Sequence, residues 1–193
     1  MILAIDMGNS NIVVGGIDNK QIYFLERITT HTTRTELEYS MYIKGILDIH
    51  GVQTKDIEGA ILSSVVPPLN ITIRNAVKKI LGIECMLVES GMKTGLNILM
   101  DNPKSVGSDM IVDAIAAMSE YPLPLAVIDM GTATTISVVD IHGNYIGGII
   151  HPGLRISLDT LSSKTAQLPQ VNLDIPKKVI AKNTVDSMRS GIL

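Results

Sequence analysis

The segments Ile2-Leu3-Ala4-Ile5-Asp6-Met7-Gly8-Asn9-Ser10 and Leu125-Ala126-Val127-Ile128-Asp129-Met130-Gly131-Thr132-Ala133 write one pattern twice: four apolar residues, Asp-Met-Gly, then small side chains. A second apolar run follows each copy, Ile12-Val13-Val14-Gly15-Gly16-Ile17 and Thr134-Thr135-Ile136-Ser137-Val138-Val139. A buried strand that ends in an acid and a glycine turn presents a carboxylate together with uncluttered backbone amides. Two such turns facing each other would make a cleft for a phosphorylated ligand. The repeat therefore predicts two related α/β lobes, each opening with a strand–turn–strand–turn–strand meander.

Turn and helix signals support this. Asp18-Asn19-Lys20 and His142-Gly143-Asn144 read as hairpin turns, because Asn, Asp and Gly adopt positive φ at low cost. Thr35-Glu36-Leu37-Glu38 is a capping box ahead of an apolar stripe at Tyr39, Tyr42, Ile43, Ile46 and Leu47. A second helix follows Pro67-Pro68 and stops at Gly82, and a third is expected over Ser105–Ser119. Strands are expected at Ala60–Val65 and Met86–Val88. The order describes a mixed-sheet lobe over residues 1–121 and a second lobe over 122–193, divided at Tyr121-Pro122-Leu123-Pro124. A helix to about Ser163 and another from Thr184 belong to the second lobe, which reads as incomplete beside the first.

Composition narrows the function classes. With 46% hydrophobic and 18% charged residues the chain is expected to fold. A single Phe and no Trp make the core aliphatic. The net charge of −3, with no Lys/Arg block, argues against a nucleic-acid surface. One cysteine, Cys85, rules out a disulfide framework and reads as a buried strand residue. No secretory leader is read ahead of the first strand, and no apolar run approaches the ~18 residues that span a bilayer. A cytoplasmic protein with no membrane association is expected.

Chemistry concentrates in three places. Asp6 and Asp129 stand at strand ends, where a carboxylate can organise Mg²⁺ with its waters or a monovalent cation. Asn9-Ser10-Asn11 and Thr132-Ala133-Thr134 add amide and hydroxyl donors. No Gly-x-x-x-x-Gly-Lys-[Ser/Thr] is present, so a phosphate cradle here is not a Walker loop. Asp109, in Asp101-Asn102-Pro103-Lys104-Ser105-Val106-Gly107-Ser108-Asp109, falls in the first turn of a helix. The helix dipole favours a charged carboxylate there, and such a group could take a proton from a substrate hydroxyl.

Together, Asp6-Met7-Gly8-Asn9-Ser10, Asn102-Pro103…Val106-Gly107-Ser108-Asp109, Asp129-Met130-Gly131-Thr132-Ala133-Thr134-Thr135, Thr165-Ala166-Gln167-Leu168-Pro169 and Asn183-Thr184…Gly191 resemble type III pantothenate kinase. The resemblance implies the acetate and sugar kinase/Hsp70/actin fold, with two ribonuclease H-like lobes, of which the second is C-terminally short here. It implies ATP-dependent phosphorylation of pantothenate to 4'-phosphopantothenate, the first step of coenzyme A biosynthesis, with Mg²⁺ and either K⁺ or NH₄⁺, in a homodimer. On this resemblance Asp6, Met7, Gly8, Asn9, Ser10, Asn11, Ile12 and Val13 form the first phosphate loop, and Thr132 contacts ATP. Asp129 holds the monovalent cation, Asp6 is a candidate for Mg²⁺, and Asp109 is the catalytic base. Gly107, Ser108, Asp109, Met110, Met100 and Thr184 contact pantothenate.

Two departures touch the substrate side. The family usually has Arg where this chain has Met110, and Tyr where it has Met100. Losing the Arg removes a cation that could pair with the substrate carboxylate, a contact worth ~1.5–3 kcal/mol. Two alternatives therefore stand beside the kinase: a non-catalytic nucleotide-binding regulatory protein of the same fold, and a kinase for a related hydroxyl substrate.

Overall fold

In the computed structural model, residues 1–19, 21–89 and 91–193 are described. Lys20, the last residue of the expected Asp18-Asn19-Lys20 turn, lies outside them. Two compact units form: Met1–Leu96 with Asp101–Ala116, and Asn97–Met100 with Ala117–Leu193.

The first unit begins with an antiparallel meander of β1 (Ile2–Met7), β2 (Asn11–Ile17) and β3 (Ile22–Thr29). Helix α1 (Glu36–Ile49) follows and leads to β4 (Gly59–Ser64), which pairs parallel with β1. Helix α2 (Asn70–Leu81) leads to β5 (Cys85–Leu87), giving the strand order β3-β2-β1-β4-β5. Alternation along β1 puts Leu3, Ile5 and Met7 on one face, all buried, with Ile12 and Val14 of β2 and Leu62 of β4 beside them. Tyr39, Ile43 and Leu47 of α1 and Ile73 and Val77 of α2 complete this aliphatic core. Each such side chain contributes roughly 1.5–3 kcal/mol on burial. The chain's one Phe, Phe24, fits only because Gly16 opposite it has no Cβ: one built there would meet the ring at 2.3 Å.

The expected helix signals act as read. The Thr35 hydroxyl accepts from the Glu38 amide while the Glu38 carboxylate accepts from the Thr35 amide, so two orphan donors at the start of α1 are satisfied. Gly82 ends α2 in the left-handed region, at φ +70°.

Cys85 is buried against the core, and burial pushes its thiol up to about 11. The thiolate is the reactive form. Iodoacetamide at pH 8 is therefore expected to label the native protein far more slowly than the urea-denatured chain. Equal labelling rates would contradict the placement of this residue.

Helix α3 (Ser108–Glu120) starts three residues later than the spacing predicts. Asn102 and Pro103 instead form a separate 3-10 turn over Pro103–Ser105, in which the Asn102 side chain accepts from the Lys104 amide. Val106 and Gly107 divide that turn from the helix.

The second unit repeats the meander with β7 (Leu125–Met130), β8 (Ala133–Val139) and β9 (Asn144–Pro152). A two-residue strand that the sequence reading missed, β6 (Asn97–Ile98), adds parallel to β9, giving the order β6-β9-β8-β7. Helix α4 (Leu154–Lys164) packs on β8 and buries Leu158, and α5 (Thr184–Ile192) packs against α4. On one face the register aligns Ile128, Ile136 and Ile149, and Ile128 and Ile149 are exposed. Among the described residues no helix is long and apolar enough to cross a membrane.

Candidate active site

In the first unit the turn after β1 is closed by its own glycine. The Gly8 amide donates to the Asn11 carbonyl at 2.9 Å, so the glycine N–H closes the hairpin. Asp6 lies at the exposed end of β1, opposite Val13, while Asn9, Ser10 and Asn11 are exposed around the turn. Met7 and Ile12 are core residues, 0% and 1% exposed. Only their backbone is placed to serve a ligand at the turn.

The end of β4 brings a second element to this region. Parallel register sets Asp6 beside Ser63 and Met7 beside Ser64. The Ser108 hydroxyl, at the start of α3, donates to the Ser64 carbonyl and accepts from the Ser64 amide, each at 2.9 Å. The Ser63 hydroxyl lies 3.3 Å from it. These bonds fasten the first residue of α3 to the strand next to the one that carries Asp6. A mostly apolar hollow of ≈ 260 Å³ is bordered by Asp6, Val13, Ile61, Ser63, Val88 and Val112, so β1 and α3 face a common space.

Asp109 follows directly on this anchor. Its Oδ1 accepts from the Met110 amide at 2.8 Å, as expected for a carboxylate in the first turn of a helix. Gly107 makes room for it: a Cβ there would sit 2.3 Å from that oxygen. Gly107, Ser108, Asp109 and Met110 are each half-buried. The structure thus gathers the Asp6 turn, the end of β4 and the Asp109 carboxylate within one unit.

The second unit carries the other turn. The Gly131 amide donates to the Ala133 carbonyl at 3.0 Å, one residue closer than in the first turn, so the two copies differ in length. Asp129 is exposed, and its carboxylate lies beside Gly131. Gly153, just before α4, donates its amide to the Thr132 carbonyl at 3.0 Å. A Cβ on Gly153 would lie 2.3 Å from the Gly131 carbonyl oxygen and 2.5 Å from that of Thr132. Thr184 is the first residue of α5, whose N-terminus is capped by the Asn183 side chain accepting from the Asp186 amide. Met100 is half-buried just after β6. Both belong to the second unit, whereas Asp109 belongs to the first.

No group of three or more His, Cys, Asp or Glu that could cage a metal occurs among the described residues. Single strand-end carboxylates fit Mg²⁺ in its usual setting, where one or two carboxylates share the ion with waters and substrate phosphates.

Ser63, Ser64, Thr30 and Gly153 touch the predicted site residues or their turns, and sequence reasoning did not find them. The polar pair that ends the apolar run of β4 was a usable signal for the first two. For Thr30 the sequence carries none.

A family model for type III pantothenate kinase matches residues 2–193. A type III pantothenate kinase from Halalkalibacterium halodurans is 43% identical over 192 residues, which cover 100% of this chain and 76% of that protein. Among solved structures, a conserved protein from Campylobacter jejuni, provisionally described as a Baf family transcriptional activator, superposes with a TM-score of 0.52 at 19% identity, covering 98% of this chain and 73% of that one. At that identity the likeness bears on the fold alone. The ethanolamine utilization protein EutJ from Carboxydothermus hydrogenoformans gives a TM-score of 0.45 at 17% identity, covering 84% of this chain and 56% of its own.

Proposed function

The chain belongs to the type III pantothenate kinase family, and from that premise we propose that it transfers the γ-phosphoryl group of ATP to the terminal hydroxyl of pantothenate. The products are ADP and 4'-phosphopantothenate, and the step opens coenzyme A biosynthesis. The observation that carries this reading is the Ser108 anchor, which fixes the start of α3, and with it Asp109, to the strand beside the Asp6 turn.

Asp109 takes the hydroxyl proton as the substrate oxygen attacks the γ-phosphorus. The bond from that phosphorus to the β–γ bridging oxygen breaks, and ADP leaves with the electron pair. Positioning and charge stabilisation dominate such reactions. The backbone of residues 6–13 orients the phosphates at the first turn, and Thr132 is the further nucleotide contact that family resemblance implies. When bound, Mg²⁺ neutralises phosphate charge. Asp6 would hold it, and Asp129 would hold K⁺ or NH₄⁺, as family resemblance implies. Gly107, Ser108 and Met110 line the pantothenate side, and Met100 and Thr184 are the further substrate contacts that family resemblance implies. The reading includes a cytoplasmic homodimer.

With ATP, Mg²⁺ and K⁺, the purified protein is expected to release ADP only when pantothenate is added. Equal release with and without pantothenate would overturn the assignment.

A further inference from the structure

The first phosphate turn is held from outside by a residue that the mechanism above leaves unused. Thr30, the residue after β3, donates its hydroxyl to the Gly8 carbonyl at 2.7 Å and its amide to the Ser10 carbonyl at 3.0 Å. The carbonyls on either side of Asn9 are therefore both drawn toward one residue. In a trans peptide the C=O and the next N–H point in opposite directions. Fixing the Gly8 carbonyl on Thr30 consequently turns the Asn9 amide N–H to the opposite side of the turn.

Thr30 is itself braced. Tyr39, fully buried in α1, accepts from the His31 amide at 3.1 Å and donates to the His31 carbonyl at 2.9 Å. Arg34 donates to the Thr29 carbonyl at 2.9 Å while its guanidinium lies 4.6 Å from the centre of the Tyr42 ring. Residues 29 and 31, on either side of Thr30, are thus tied down from the start of α1 and the loop before it. Such an arrangement transmits the rigidity of a packed helix to an exposed turn.

We propose that Thr30 is a positioning residue for nucleotide binding and phosphoryl transfer: its hydroxyl sets the direction of the Asn9 amide toward the ATP phosphates. The inference rests on the kinase reading for the identity of the ligand.

The test compares Thr30→Val, which keeps the branched shape and loses the hydroxyl, with Thr30→Ser, which keeps the hydroxyl. MgATP affinity is measured by calorimetry without pantothenate, alongside kcat, the KM for pantothenate and Tm. Losing a bond to a backbone carbonyl is expected to weaken MgATP roughly tenfold in Thr30→Val and to lower kcat, with the pantothenate KM and Tm near native. Thr30→Ser should stay within about threefold of native. Native MgATP affinity in Thr30→Val, or equal loss in both variants, overturns the proposal. If the native protein binds MgATP but does not turn over pantothenate, the kinase reading fails while the affinity comparison still decides the role of Thr30. A native protein that binds no MgATP overturns both.

Discussion

Asp109→Asn is expected to lower pantothenate-dependent ADP release by roughly 10²–10⁴-fold while MgATP still binds with near-native affinity. The substitution keeps the size of the side chain and removes its capacity to accept a proton. The Asp109 carboxylate is placed by two neighbours: the Ser108 hydroxyl anchors the helix start to Ser64, and the bare Gly107 leaves space for Oδ1. Gly107→Ala should therefore act on the same step without deleting the carboxylate. Its Cβ would overlap Oδ1 at 2.3 Å, and because the far end of a side chain can swing away, stability should change little while kcat falls. Full activity in Asp109→Asn would remove this residue from the mechanism.

Gly153→Ala is expected to have the largest effect in the second unit. The new methyl would meet the Gly131 carbonyl oxygen at 2.3 Å and the Thr132 carbonyl oxygen at 2.5 Å, and both are backbone atoms that cannot swing aside. The turn and the start of α4 must separate, which endangers the bond from the Gly153 amide to the Thr132 carbonyl. Overpacking of this kind costs about 1–3 kcal/mol. Urea unfolding should show that loss, and calorimetry should show weakened MgATP binding, because Thr132, the proposed nucleotide contact, moves with its turn. A loss of stability with native MgATP affinity would show that the second turn takes no part in holding the nucleotide.

The residues differ in how openly they announced these roles. Both Asp-Met-Gly turns were legible, since a buried strand ending in an acid and a glycine leaves a local pattern, and each does open an antiparallel meander. The α1 capping box and the stop at Gly82 were legible for the same reason: each is complete within a few residues. The first-turn position of Asp109 was legible because such an acid can be read without knowing what the helix packs on. The contacts that place these groups were hidden. Ser64 and Ser108 are 44 residues apart, and Thr30 and Gly8 are 22 apart. A hydroxyl meeting a distant backbone group needs no periodicity, so no window of sequence displays it. The unequal lengths of the two turns were obscured by their matching residues, because turn length depends on strand register. Strand β6 was too short to show alternation.

The central claim is transfer of phosphate to pantothenate, and ³¹P nuclear magnetic resonance of ATP, Mg²⁺, K⁺ and pantothenate with the native protein tests it most directly. As ATP is consumed, one phosphomonoester signal should grow for each ADP, split into a triplet by the neighbouring CH₂ of the primary alcohol. Growth of inorganic phosphate instead, or unchanged ATP signals from a protein that binds the nucleotide, would contradict the account.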